Sequence, residues 1–254
     1  MPLAALIVVA SPLAITAQPP AQTGAPSQTG LVIVLDAAHG GTDTGARGQG
    51  ALAEKDIVLD LTRAVRAELE RQGFHVVMTR NDDSNPTYDD RAALANAQRD
   101  AIFITFHISS TGTFGTARAY YCQLPNSLSQ PGQPITNATA TPEPSQMKVF
   151  APPVPLTSGL TPWDEAQKQF AEASHHFADI LQGELSQRFP GSPATPSAAA
   201  VRGLRSVAAP AIAVEISSVG VPDPAQLSAL ANPLATSIVR GIVAFRPMGS
   251  AGAK

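Results

Sequence analysis

The sequence has few of the residues that would brace a fold covalently or draw it to a polyanion. Its 254 residues include one cysteine, Cys122, which excludes an internal disulfide framework and a cysteine-based zinc cluster. Any metal must therefore rest on His, Asp and Glu. Cations are also scarce. With 17 Lys and Arg against 20 Asp and Glu the formal net charge is -3, so no basic surface recommends DNA, RNA or an anionic membrane face as the main partner. The apolar stretch at residues 3–17 is broken by Pro12 and falls short of the about 20 residues a spanning helix needs, so no integral membrane domain is expected. No internal repeat recurs, and the histidines show no helical His-x-x-x-His spacing.

A hydrophobic content of 44% with 15% charged residues suits one globular domain with tails. The stretch LAALIVVASPLAITA ends in small residues and is followed by QPPAQTGAPSQTG, the pattern of a signal-peptide core and a linker, although no Lys or Arg precedes it. It predicts export. The expected organisation is a leader and linker over residues 1–30, a folded domain over 31–246, and a disordered tail over 247–254. Within the domain, residues 123–162 are rich in Pro, Ser, Thr and Gln and read as an insertion.

The folded part begins with LVIVL at residues 31–35, an aliphatic run typical of a strand buried on both faces. A Gly-rich loop leads to a helix over 56–72, where Ile57, Leu61, Val65 and Leu69 recur every four positions before Gly73. Strands are predicted at 74–79, 101–106, 117–122 and 211–216, and helices at 89–98, 162–188 and 224–244. Strand and helix alternation of this kind implies a single three-layer α/β domain. Its mostly parallel or mixed twisted sheet, of about five to six strands, carries sites beyond the strand ends.

Three possible metal ligands stand at such ends or in the first long loop: His39, Glu54 and His107. Two imidazoles and a carboxylate make a suitable open zinc site, with one position left for water. Glu215 occupies an otherwise apolar strand, where a carboxylate is expensive to bury unless it is paired or near a cation. Beside an activated water it could accept a proton and return it to a leaving amine. Each residue also has an ordinary alternative: His39 as a turn residue, His107 as a satisfied strand-end histidine, Glu54 as part of a solvated helix start.

The ordered segments IVLDAAHGGTDTGARG, LAEKDIVLDLT, VVMTRNDD, DDRAALANAQRDAIFITFHISS and PAIAVEI resemble the zinc-dependent N-acetylmuramoyl-L-alanine amidases. The resemblance implies a phosphorylase/hydrolase-like α/β fold, with Zn2+ held by His39, Glu54 and His107 and with Glu215 as the catalytic carboxylate. It also implies a peptidoglycan substrate, cut between the lactyl group of N-acetylmuramic acid and L-alanine, and work in the periplasm or extracellular cell-wall compartment of a bacterium. Further expectations follow from it. Asp36 orients His39 through a hydrogen bond, or else serves a turn. Arg80 and Arg91 form fold-supporting ion pairs, or else contact substrate. Arg202 and Arg205 face a muropeptide carboxylate, or else a solvated loop. The 123–162 insertion blocks the site until a protein activator displaces it, with Glu143 reaching the zinc, or else is a passive loop. Three segments depart from the family pattern: Asp36-Ala37-Ala38-His39 lacks Pro-Gly, Ile108-Ser109 replaces Ala-Asn, and Ser217-Ser218-Val219-Gly220 lacks the aromatic and Asn. These changes motivate an alternative, a homologue that binds peptidoglycan or a cell-wall partner without cutting. A peptidase acting on the stem shares the chemistry and differs in the amide cut.

Overall fold

Aliphatic runs bounded by turn residues set the sheet. In the computed structural model, which describes residues 30–48, 52–123, 162–220 and 223–245, six strands are formed: β1 (Val32–Ala37), β2 (His75–Met78), β3 (Ala101–Ser109), β4 (Thr116–Cys122), β5 (Ser197–Ala199) and β6 (Ala211–Ser217). Their order is β2-β1-β3-β6-β4-β5. All neighbours run parallel except β4 against β6. Parallel neighbours require crossover connections, and helices supply them. The expectations for the leader, for the insertion with Glu143 and for the tail lie outside the described residues.

The helices are α1 (Glu54–Arg71), α2 (Tyr88–Asn96), α3 (Ala171–Arg188), α4 (Arg202–Arg205), α5 (Pro224–Ser228) and α6 (Ala231–Ala244), with a 3-10 helix, Trp163–Phe170, leading into α3. On one face of the sheet Ile33, Leu35 and Ile104 pack with Val58, Leu61 and Val65 of α1, Phe177 and Leu181 of α3, and Leu234 and Ile238 of α6. On the other face Val34, Phe103, Ala211 and Ala213 meet Ala92 and Ala95 of α2 and Leu204 of α4. Small residues there let α2 and α4 approach the strands closely. Residues Ala225–Ala244 have the length and apolar composition of a membrane span, yet Leu234, Ile238 and Ile242 are buried in the core.

Several boundaries differ from the sequence reading. β3 runs three residues past Phe106, because His107, Ile108 and Ser109 pair with Glu215, Ile216 and Ser217 of β6. His107 is therefore inside a strand rather than after it. The helix predicted over 162–188 is 3-10 for its first turns and α only from Ala171. The last helix breaks between Ser228 and Ala231. The short β5 and α4 were not anticipated: Ser-Ala-Ala has no hydrophobic alternation, and four residues carry no helical period.

Candidate metal centre

The loop after β1 turns sharply. His39 has φ +62 and Gly40 φ +134. A left-handed histidine is sterically costly and needs outside support. Two buried arginines supply it. Arg80 donates through Nε to the Ala37 carbonyl at 2.7 Å and through Nη2 to the Ala38 carbonyl at 3.0 Å. Arg91 donates to the Ala37 and His39 carbonyls, each at 2.9 Å, and pairs with Asp36. The rigidity that a Pro-Gly turn would give is thus provided by guanidinium groups holding three successive carbonyls. Arg91 makes the expected ion pair, whereas Arg80 works through carbonyl oxygens.

That turn brings His39 Nε2 to 3.2 Å from Glu54 Oε1, and His107 Nδ1 lies 3.1 Å from the same oxygen. Glu54 is the first residue of α1, where the helix dipole favours a carboxylate. It is buried, and it accepts from the Ala46 amide at 2.7 Å and the Ile108 amide at 2.9 Å. Burial pushes its carboxyl up. Hydrogen bonds from His107, His39 and those two amides outweigh this and hold it well below the usual carboxylate range. The hydrogen bond to Glu54 raises His39; burial opposes the rise and Asp43 adds to it.

One ligand atom from each of His39, Glu54 and His107 lies within 4.8 Å of the others. A tetrahedral ion with ligands at about 2.0–2.1 Å would set them roughly 3.3 Å apart, close to the two separations above. The donor set and its spacing fit a divalent cation.

His39 Nδ1 is engaged by Asp43 Oδ2 at 2.9 Å, and Asp43 Oδ1 accepts from the Gly45 amide at 3.1 Å. Asp43, not Asp36, is the carboxylate that orients His39. The hydrogen bond expected from Asp36 is replaced by bonds it accepts from Thr79 and Thr105, at 2.5 and 2.6 Å, besides the pair with Arg91. Asp36 is buried beneath the turn and reaches His39 only through Arg91. The sequence did hold a sign of Asp43, a carboxylate four residues past a histidine in one polar loop. Asp43→Ala is expected to weaken metal affinity roughly 10–100-fold with little change in unfolding temperature, as read by competition with a chromophoric chelator.

Glu215 is the in-register neighbour of His107 on the adjacent strand, so the two side chains share a face about 5 Å apart at the backbone. It stands outside the three-ligand group and is half-buried. Its Oε1 accepts from the Tyr120 hydroxyl at 3.3 Å. Burial, and then the charge of Glu215, push the Tyr120 phenol up, so it remains a proton donor. Sequence reasoning missed Tyr120, although its place two residues from Arg118 on a strand puts both on the Glu215 face.

A cleft of about 380 Å³ opens over His39 and His107 and is lined also by Asp43, Tyr88, Asp89 and Arg202. Arg202 is therefore placed to meet a ligand. Arg205 is not among the lining residues. It pairs with Asp164 at 3.3 Å, and its Nε is buried without a partner, so the substrate contact expected of it does not match its position.

Over 130 residues the chain is 36% identical to the N-acetylmuramoyl-L-alanine amidase AmiC of Escherichia coli, covering 42% of this chain and 31% of that protein. Over 57 residues it is 47% identical to the germination-specific N-acetylmuramoyl-L-alanine amidase of Bacillus subtilis, covering 22% and 24%. The matches span between 18% and 47% of the length of the first curated relatives. The fold is that of the N-acetylmuramoyl-L-alanine amidase AmiC2 of Nostoc punctiforme, with TM-score 0.57 at 20% identity over 84% of this chain and 97% of that one. It is also that of Ami1 from Mycobacterium smegmatis, with TM-score 0.56 at 20% identity over 85% and 96%. A sequence model of the family described as N-acetylmuramoyl-L-alanine amidase matches residues 33–244, nearly the whole described domain, and the chain belongs to that family.

Proposed function

We propose that this chain is an exported zinc hydrolase that cleaves the amide between the lactyl group of N-acetylmuramic acid and the L-alanine of peptidoglycan stem peptides. The observation that carries this reading is the convergence of His39, Glu54 and His107 within 4.8 Å, with Glu215 beside His107 in register. Two imidazoles and a carboxylate, with no thiolate, favour zinc over softer or harder ions.

His39, Glu54 and His107 would hold the zinc ion, which when bound would supply Lewis acidity toward the scissile carbonyl and the attacking water. Glu215 takes the water's proton and passes it to the departing L-alanine nitrogen. Tyr120 fixes one oxygen of Glu215, leaving the other for that transfer. Asp43 keeps Nδ1 of His39 occupied, so that Nε2 is the nitrogen presented to the metal. Arg202, exposed on the cleft wall, offers a cation to a muropeptide carboxylate.

The test is digestion of sacculi by the zinc-loaded chain, with soluble products weighed by mass spectrometry. Free stem peptides that begin in L-alanine, lost on chelation and restored by zinc, are the expected products. Fragments cut inside the stem would make the chain a peptidase. Binding to sacculi with no soluble product would favour the non-cutting homologue.

A further inference from the structure

Three large hydrophobic side chains stand exposed among the described residues, and two of them adjoin the cleft, Tyr88 (47% exposed) as a lining residue and Trp163 (48% exposed) through its bond to the lining residue Asp89. Tyr88 lines the cleft directly. It is the first residue of α2, whose start is locked by a reciprocal cap between Thr87 and Asp90. The Arg202 guanidinium sits 5.1 Å from the Tyr88 ring centroid, a cation–π contact that covers one ring face. Trp163 donates through its indole nitrogen to Asp89 Oδ1 at 3.1 Å, and Asp89 also lines the cleft.

We propose that Tyr88, Asp89 and Trp163 form a saccharide subsite, which takes a pyranose ring of the glycan strand at the rim of the cleft. The inference rests on the peptidoglycan reading and says which part of that substrate lies here. Exposed aromatic faces carry negative π density and an apolar surface, matched by the C–H face of a pyranose. Asp89 spends one oxygen on Trp163 and keeps the other to accept from a sugar hydroxyl. Asp89 repels a stem-peptide carboxylate placed against it, and such a carboxylate is left to the Arg202 guanidinium on the other side of the Tyr88 ring from the sugar. A neutral sugar meets no such repulsion. The rim is also built to hold its shape, with the aromatic of Tyr88 fixed by the helix cap and by Arg202.

Trp163 is the sole tryptophan, so its emission reports on the rim alone. The full chain would be titrated with peptide-free peptidoglycan glycan oligosaccharides and, separately, with free stem peptide. A saturable emission change with the oligosaccharide, weakened roughly tenfold in Tyr88→Ala and kept in Tyr88→Phe, is expected. The KM for sacculi should rise in Tyr88→Ala by a similar factor with kcat unchanged. A saturable response to stem peptide in place of glycan would overturn the subsite, as would equal glycan affinity in wild type, Tyr88→Ala and Asp89→Ala. Hydrolysis with no glycan response sinks the subsite alone. Glycan binding without hydrolysis keeps the subsite and sinks the amidase reading instead.

Discussion

Glu215→Gln is expected to lower hydrolysis of sacculi by roughly 10²–10⁴-fold while zinc affinity and unfolding temperature stay near those of the wild type. The separation of these readouts follows from placement. Glu215 lies next to His107 across the β3–β6 register but outside the group formed by His39, Glu54 and His107. A glutamine has nearly the same volume and still accepts from Tyr120, so the half-buried position is neither emptied nor left with an unpaired hydroxyl. What the amide cannot do is take a proton from water and deliver it to nitrogen. Loss of zinc in this variant would place Glu215 among the ligands. Hydrolysis at the wild-type rate would remove it from the chemistry. Products would be followed by mass and zinc by competition with a chromophoric chelator.

The parts of this molecule that could be read from the sequence are those governed by local pattern. The runs LVIVL, AIFITF and AIAVEI are apolar on both sides of the chain, and each became a central strand buried on two faces. A carboxylate inside the last of them stood out because burial there is costly. The proposed ligands were legible one by one, but their convergence was not. His39, Glu54 and His107 are separated by 15 and 53 residues, and only the parallel pairing of β1 with β3 brings the first and last together. The supports of the turn were harder still. Arg91 reaches the His39 carbonyl across 52 positions, and no local signal connects the two. Asp36 illustrates the resulting error: nearest in sequence to His39, it is tied to Thr79, Thr105 and Arg91, while Asp43 in the following loop holds the imidazole. Over 162–188 and 224–244 the apolar period predicts single helices, but it continues through segments whose backbone changes type. Periodicity reports which face is buried more reliably than it reports the hydrogen-bond pattern beneath it.

The second large effect is expected from a glycine with no chemistry of its own. Gly45 has φ +62, and a Cβ on it would lie 2.5 Å from Glu54 Oε2, 2.7 Å from the His39 ring and 2.8 Å from Glu54 Cβ. Two of the proposed ligands therefore close around a backbone that must lack a side chain. Gly73 offers the control: its φ is +85, and a Cβ there would meet nothing within 4 Å. Alanine at either position bears the left-handed penalty of about 1–2 kcal/mol, so Gly73→Ala should lower the unfolding temperature modestly and leave zinc affinity unchanged. Gly45→Ala should bear the same penalty and in addition drive His39 and Glu54 apart, weakening zinc affinity by at least about a hundredfold and abolishing hydrolysis. Neither neighbour can give way easily, since His39 is held by Asp43 and by its own supported backbone, and Glu54 by the amides of Ala46 and Ile108. Paired measurement of unfolding and of zinc competition separates the two contributions. If Gly45→Ala bound zinc like Gly73→Ala, the close packing of the ligands around residue 45 could not be what sets the metal geometry, and His39 with Glu54 would lose its standing as a preformed pair.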